Sequence, residues 1–417
     1  MTDTPEAPHP AVRTVALYPW FKLCQNLLFW QAMWFLFFQS RLSAAEAILL
    51  YAIYDVATTA LEVPSGYMSD RLGRRVTLLA SGAFSFASML LIAFGDSFAA
   101  FALAQALLGA GMAFASGTDT ALLYESLHAS GRADEVERQE LRAWRFSFVA
   151  LATSAVLGGS IALIAPVLPF YASALAFAAM FFIVLRFHDP DLDMTDFPEG
   201  AELARLDTLR ATFAQPALRW LFVLSIVMYG FSHIPFVFGQ PFIEEALAAR
   251  DLDADAPFVS GIVTTLMMCL SLLMSLLAPS LRERLSLGSM LLLAFGMQIA
   301  LTGALALSNA PIVIALLFLR MVPDALSKPF ILARIQPALA SASRATYISL
   351  QSFFARILFA VSLYLASGYG SGTGSLSYPQ MQTILAAYAL TGLGIWTGLA
   401  LTRRKARLET PPPAKVA

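Results

Sequence analysis

The sequence predicts an all-α integral membrane protein with twelve transmembrane helices in two pseudo-symmetric six-helix bundles. Three observations predict it. Hydrophobic residues make up 58% of the 417 and charged residues only 13%, about half the charged share of a soluble domain, roughly 25%. The apolar residues fall in runs of about 20 or more, the length a helix needs to cross a hydrocarbon layer of ~30 Å. The longest polar interruption divides those runs six and six.

Taken in order, the first six spans are expected near 18–40, 44–66, 76–94, 97–124, 145–165 and 168–187. The second six follow near 217–243, 257–279, 288–307, 311–336, 345–368 and 379–402. The expected organisation is a cytoplasmic tail (1–16), an N-terminal bundle (17–187), a cytoplasmic linker (188–216), a C-terminal bundle (217–402) and a second cytoplasmic tail (403–417). Both tails are polar and proline-containing, so neither buries enough apolar surface to fold alone, and disorder is expected. The first sixteen residues lack a short apolar core with a small-residue cleavage site, so the first span is expected to be retained.

With both termini inside, 25 of the 27 basic residues fall on inner connections or within spans; only Arg41 and Arg250 fall outside. Arg71, Arg74, Arg75, the group from Arg132 to Arg145, Arg205, Arg210, Arg282, Arg284, Arg344 and Arg403 to Arg407 then satisfy the positive-inside rule. These clusters flank membrane and form no extended basic surface, so no nucleic-acid partner is expected. Cys24 and Cys269 lie in spans and are read as packing or lipid-facing thiols, not a disulfide framework. In the linker, Asp189, Asp191, Asp193 and Asp196 alternate after His188 as calcium ligands do. The spacing fails, because Met194 stands where a turn glycine is needed and Gly200 where a bidentate glutamate is needed. A solvated acidic loop is expected, with no metal and no cofactor, and 201–213 is a candidate amphipathic surface helix.

The most specific local signal is Gly66-Tyr67-Met68-Ser69-Asp70-Arg71-Leu72-Gly73-Arg74-Arg75, between spans two and three. Gly66 is expected to allow close helix packing and Gly73 a tight turn, while Arg71, Arg74 and Arg75 hold the segment at the anionic inner leaflet. Asp70 is left to meet a positive partner or a helix N-terminus. Asp70-Arg71-Leu72 after span two is echoed by Glu283-Arg284-Leu285 after span eight, about half a chain later, as a duplicated bundle would require.

The segment resembles the loop signature of the major facilitator superfamily at all its fixed positions. The resemblance implies alternating access, with Asp70, Arg71 and Arg74 latching the two bundles on the cytoplasmic side. Glu62-Val63-Pro64-Ser65, Ser116 to Leu127 and Arg344-Ala345-Thr346 are similar to a bacterial branch related to twelve-span drug:proton antiporters. That branch implies the cytoplasmic (inner) membrane, a functional monomer, and efflux of a small organic molecule in exchange for protons. One departure weakens the coupling claim: of the span-five pattern of a glycine-proline pair before two glycines, only Gly158 and Gly159 remain, after Ala155-Val156-Leu157.

Asp55, Asp119, His233, Arg320, Asp324, Lys328 and Arg356 all fall at membrane depth. A charge at the bilayer centre costs ~2.5 to 3.5 kcal/mol, so five cost on the order of 15 kcal/mol, comparable to the whole stability of a domain. These groups must therefore be paired, neutralised or wet. Arg320, Asp324 and Lys328 recur every fourth residue on one face of span ten and flank Pro323, which frees the carbonyl of Leu319 and kinks the helix. They are either a charged stripe lining a cavity or a self-neutralising ladder. Asp55 and Arg356 lack local partners on spans that pack across the bundles in the family fold, so an inter-bundle ion pair is expected; the alternative is a protonated Asp55 in a packed core. Proton-coupling candidates are Asp55, Glu62, Asp119, Asp324 and His233. Gln31, Trp34, Tyr51 and Tyr54, with Arg320, Asp324 and Arg356, are candidates to line a cavity for an amphiphilic organic substrate. No nucleophile-base pair, metal spacing or phosphate-binding loop appears, so an enzyme is not expected. Proton-coupled import and a non-transporting sensor remain open beside efflux.

Overall fold

The structure, a computed structural model, describes residues 10–189, 213–338, 341–369 and 376–408, and every regular element among them is helical. The helices are α1 (Pro10–Asn26), α2 (Trp34–Gln39), α3 (Ala44–Leu72), α4 (Arg74–Phe94), α5 (Phe98–Ala115), α6 (Thr118–Ala129), α7 (Val136–Ala162) and α8 (Leu168–Val184). After the linker come α9 (Pro216–Ala248), α10 (Ala256–Arg284), α11 (Leu287–Leu307), α12 (Val322–Ala338), α13 (Ser341–Ser367) and α14 (Tyr378–Thr402). The side chains of Asp70 and Arg344, the acidic run from Asp191 to Asp196, most of the expected surface helix and most of both tails lie outside the described residues.

Nine described helices are long and apolar enough to cross a membrane. The other three expected spans are built from shorter pieces, each for a local reason. Span six is the 17-residue α8. Span one breaks after Asn26, whose side-chain amide donates to the Lys22 carbonyl and to Ser147 Oγ; a 3-10 turn, Phe29–Ala32, then leads to α2. Span ten starts as a 3-10 stretch, Pro311–Leu319, and becomes α-helical only at Val322. Pro323 thus sits in the first turn of a new helix, where its missing N–H leaves no bond unmade, and the expected kink is a change of helix type. Span four also divides, at Gly117 (φ 76°).

Short polar side chains set several helix starts. Ser97 accepts from the Ala100 N–H, Ser286 from the Ser289 N–H, and Ser377 forms a capping box with Gln380 at α14.

The helices group into two units. The first holds 53–196 with residues up to Trp34; the second holds 197–417 with Phe35–Ala52. In the first, α4 packs on α5 and α8, and α1 on α7; in the second, α11 packs on α14 and α9 on α13. Third-on-sixth and first-on-fifth span pairings thus recur in both units, the internal repetition that the echoed charges anticipate. Close approach is purchased with glycine at Gly158 of α7, where a Cβ would lie 2.0 Å from the Phe29 carbonyl oxygen. The 3-10 turn of span one therefore rests directly on the α7 backbone.

Candidate functional site

In the first unit the glycine-arginine motif folds differently from a loop. Residues 66–72 complete α3, and only Gly73 leaves the helix, at φ 99° and ψ 153°, before α4 begins at Arg74. A Cβ at Gly66 would meet no described atom within 4 Å. Gly73 is constrained from two sides, because its backbone lies in the region L side chains avoid and a Cβ would fall 2.1 Å from the Asp189 carboxylate.

Asp189 is a helix cap, not a solvated loop residue. Its carboxylate accepts from the Arg74 N–H at 3.1 Å and the Arg75 N–H at 3.3 Å, filling the N-terminus of α4 with negative charge. Arg75 reciprocates at the end of α8, donating to the carbonyls of Leu185 (2.6 Å) and Val184 (3.3 Å). The preceding His188 N–H donates to Thr14 Oγ1 of α1 at 2.8 Å. Burial raises the pKa of Asp189, and the two backbone N–H donors oppose that rise. Arg74 turns inward, pairing with Glu125 of α6 at 3.0 Å and donating to Ser69 at 2.8 Å. Arg71 lies over the Tyr67 ring, 5.2 Å from its centre.

Deeper in the same unit, Asp119 of α6 is buried and receives the Lys22 ammonium of α1 at 2.8 Å; Lys22 also donates to Gln25 at 2.6 Å. Sequence reasoning missed Lys22. The signal was present, since Lys22 is a charge inside the first expected span, subject to the same insertion cost as the others. Asp55 is fully buried in α3, Trp34 is buried, and Glu62, Gln31 and Tyr54 are half-buried.

The second unit gathers the candidates of spans seven and ten. Ser232 donates to Asp324 Oδ2 at 2.9 Å, Gln298 to Oδ1 at 3.4 Å, and Lys328 pairs with Oδ2 at 2.8 Å. The expected ladder has one rung only. Arg320 forms no ion pair among the described residues; its Nε is buried without a hydrogen-bond partner, and its guanidinium lies 4.9 Å from the Phe236 ring centre. Its Nη2 reaches the Met321 sulfur at 3.9 Å. His233 is bonded through Nδ1 to the Tyr229 carbonyl at 2.7 Å and ringed by Tyr229, Tyr51 and Phe359. Arg356 donates to Ser352 at 3.4 Å and lies 5.9 Å from the Tyr229 ring centre. Asp324 and Lys328 line a cavity of about 300 Å³, together with Tyr229, Gln351, Ile331, Leu332 and Ile348. That size is at the lower end for sites binding small organic ligands.

The arrangement is therefore a helical membrane chain with an ion-paired acid in each unit and a small amphipathic cavity in the second. The sequence model of the Major Facilitator Superfamily matches residues 23–363, well over half the chain. The chain belongs to the major facilitator superfamily. It is accordingly an integral membrane transporter of that type. Among solved superfamily structures, the nucleoside transporter NupG superposes with a TM-score of 0.73 at 14% identity, covering 94% of this chain and 99% of that one. A bacterial homolog to the human lysosomal transporter Spinster gives 0.69 at 12% identity, covering 99% and 100%. A D-xylose-proton symporter gives 0.65 at 14% identity, covering 92% and 96%. At such identities the likeness fixes the superfamily fold and leaves the substrate open. No curated protein matches by sequence.

Proposed function

We propose that the protein is a secondary active carrier of a small organic molecule, working by alternating access and coupled to protons, in the efflux direction and in the bacterial cytoplasmic membrane. The observation that carries this reading is the Asp324 cluster. A buried carboxylate that holds a lysine while lining a ligand-sized cavity can exchange its lysine for a proton, and the released ammonium then faces the cavity. Lys22–Asp119 offers the same exchange in the first unit. Asp55 and Glu62 remain coupling candidates, and Asp55 with Arg356 is proposed as an ion pair made and broken during the cycle. Asp70, Arg71 and Arg74 are proposed to latch the cytoplasmic side, and residues 17–187 and 217–402 to be the moving bundles. A functional monomer suffices for this scheme.

Import by proton symport is the second reading, favoured by one observation. Gly158 and Gly159 follow Ala155-Val156-Leu157, without the glycine-proline pair of the antiporter pattern. Proteoliposomes with an internal pH dye test both. Substrate-driven proton movement lost in Asp119→Asn or Asp324→Asn supports coupling, and its direction separates exchange from symport. Ligand binding with no flux would overturn the carrier reading in favour of a sensor. Exchanging the charges of Asp55 and Arg356 is expected to restore transport lost in either single variant.

A further inference from the structure

The two charged residues that line the second unit's cavity, Asp324 and Lys328, form one ion pair, and the lysine is its exposed member. Lys328 follows Asp324 by one turn of α12, while Arg320, in the turn before α12, adds a positive charge four residues ahead of Asp324 and outside the cavity lining. Asp324 accepts from Lys328, Ser232 and Gln298. Among the described residues Arg320 makes ring and sulfur contacts and no ion pair, with Nε unpartnered, and a guanidinium stays charged at neutral pH. Lys328 carries three N–H donors, of which Asp324 takes one; its side chain is 64% exposed and lines the cavity. The carboxylate of the pair is buried and the ammonium is exposed, so the charge presented to the cavity is positive. An anion accepts the remaining Lys328 N–H donors; a cation is repelled by the ammonium. Beyond Lys328 the wall turns apolar, with Ile331, Leu332, Ile335 and Ile348.

We propose that this cavity takes organic anions, amphiphiles whose charged group sits at Lys328 and whose hydrocarbon part lies along Ile331, Leu332 and Ile348. The proposal rests on the reading of this cavity as the carrier's substrate site and narrows its substrate class. It runs against the cationic drugs that a multidrug exporter would favour.

The test is equilibrium binding of octane-1-sulfonate, a permanent anion, to the full chain in lipid nanodiscs, with empty discs subtracted. Octyltrimethylammonium and octanol serve as competitors of the same length. Saturable sulfonate binding is expected, with octyltrimethylammonium displacing it at least tenfold more weakly than a second alkyl sulfonate does. Lys328→Met is expected to lower sulfonate affinity at least tenfold, and Lys328→Arg to keep it within about threefold. Asp324→Asn removes the competing carboxylate and is expected to tighten binding, an outcome that a misfolded variant cannot give. Equal or better binding of octyltrimethylammonium, or no change in both Lys328→Met and Asp324→Asn, overturns the proposal. The underlying carrier reading fails separately: sulfonate binding with these signatures but no flux of any organic solute overturns transport alone. Carriage of an organic cation without sulfonate binding overturns the anion proposal alone.

Discussion

At the scale of single residues, Gly73 and Asp189 form one device. Gly73→Ala combines a left-handed backbone strain of ~1 to 3 kcal/mol with a collision against the Asp189 carboxylate. In a thermal-denaturation cycle, Asp189→Gly is expected to shrink the Gly73→Ala penalty to the backbone strain alone; a penalty unchanged by Asp189→Gly would remove the collision from the account. The same aspartate sets a pH dependence. Its folded pKa is raised, chiefly by burial, so the folded chain binds this proton more readily than the unfolded chain. Its contribution to stability therefore falls as pH rises from about 4, the ordinary carboxylate value, to the raised folded value, and is level above it. Asp189→Asn is expected to flatten that part of the midpoint-against-pH curve. Lys22 and Asp119 are coupled in another way: Lys22→Met leaves the buried Asp119 carboxylate without its counter-charge, at ~3 to 5 kcal/mol. Lys22→Met with Asp119→Leu is expected to recover most of the loss, measured by the same denaturation.

At the scale of elements, glycine and proline decide where spans cease to be simple helices. Pro323 converts the middle of span ten into a helix start, which puts Arg320 in the turn between a 3-10 stretch and α12, not on one continuous ladder with Asp324. Gly158 lets the broken part of span one lie on α7. Gly158→Val is expected to destabilise the first unit severely, because the obstructing atom is a backbone carbonyl that cannot rotate away. A full yield of folded, monodisperse Gly158→Val protein would show that the 3-10 turn can relocate. The sequence marks both glycine and proline positions, yet periodicity cannot say which neighbour each one serves. Gly158 looks like a remnant of a family pattern until the Phe29 carbonyl is found against it.

At the scale of the whole molecule, the basic residues predict orientation. In a background with Cys24 and Cys269 replaced by serine, cysteines at Arg41 and Arg250 are expected to react with an impermeant thiol reagent on intact cells. Cysteines at Arg132 and Arg403 are expected to react only after permeabilisation, and the reverse pattern would invert the topology. By itself the sequence determined that this chain lies in lipid, roughly where it crosses, that its halves repeat, and that its deep charges need partners. Those properties are written in local composition and in the cost of burying charge, which are independent of neighbours. The tertiary structure alone decided the partners: Lys22 for Asp119, Ser232 and Gln298 for Asp324, Asp189 for the start of α4, and for Arg320 the Phe236 ring without an ion pair among the described residues. Pairing across 90 or more positions, as between Lys22 and Asp119 or Ser232 and Asp324, depends on which helix faces meet, and that is set by packing throughout a unit.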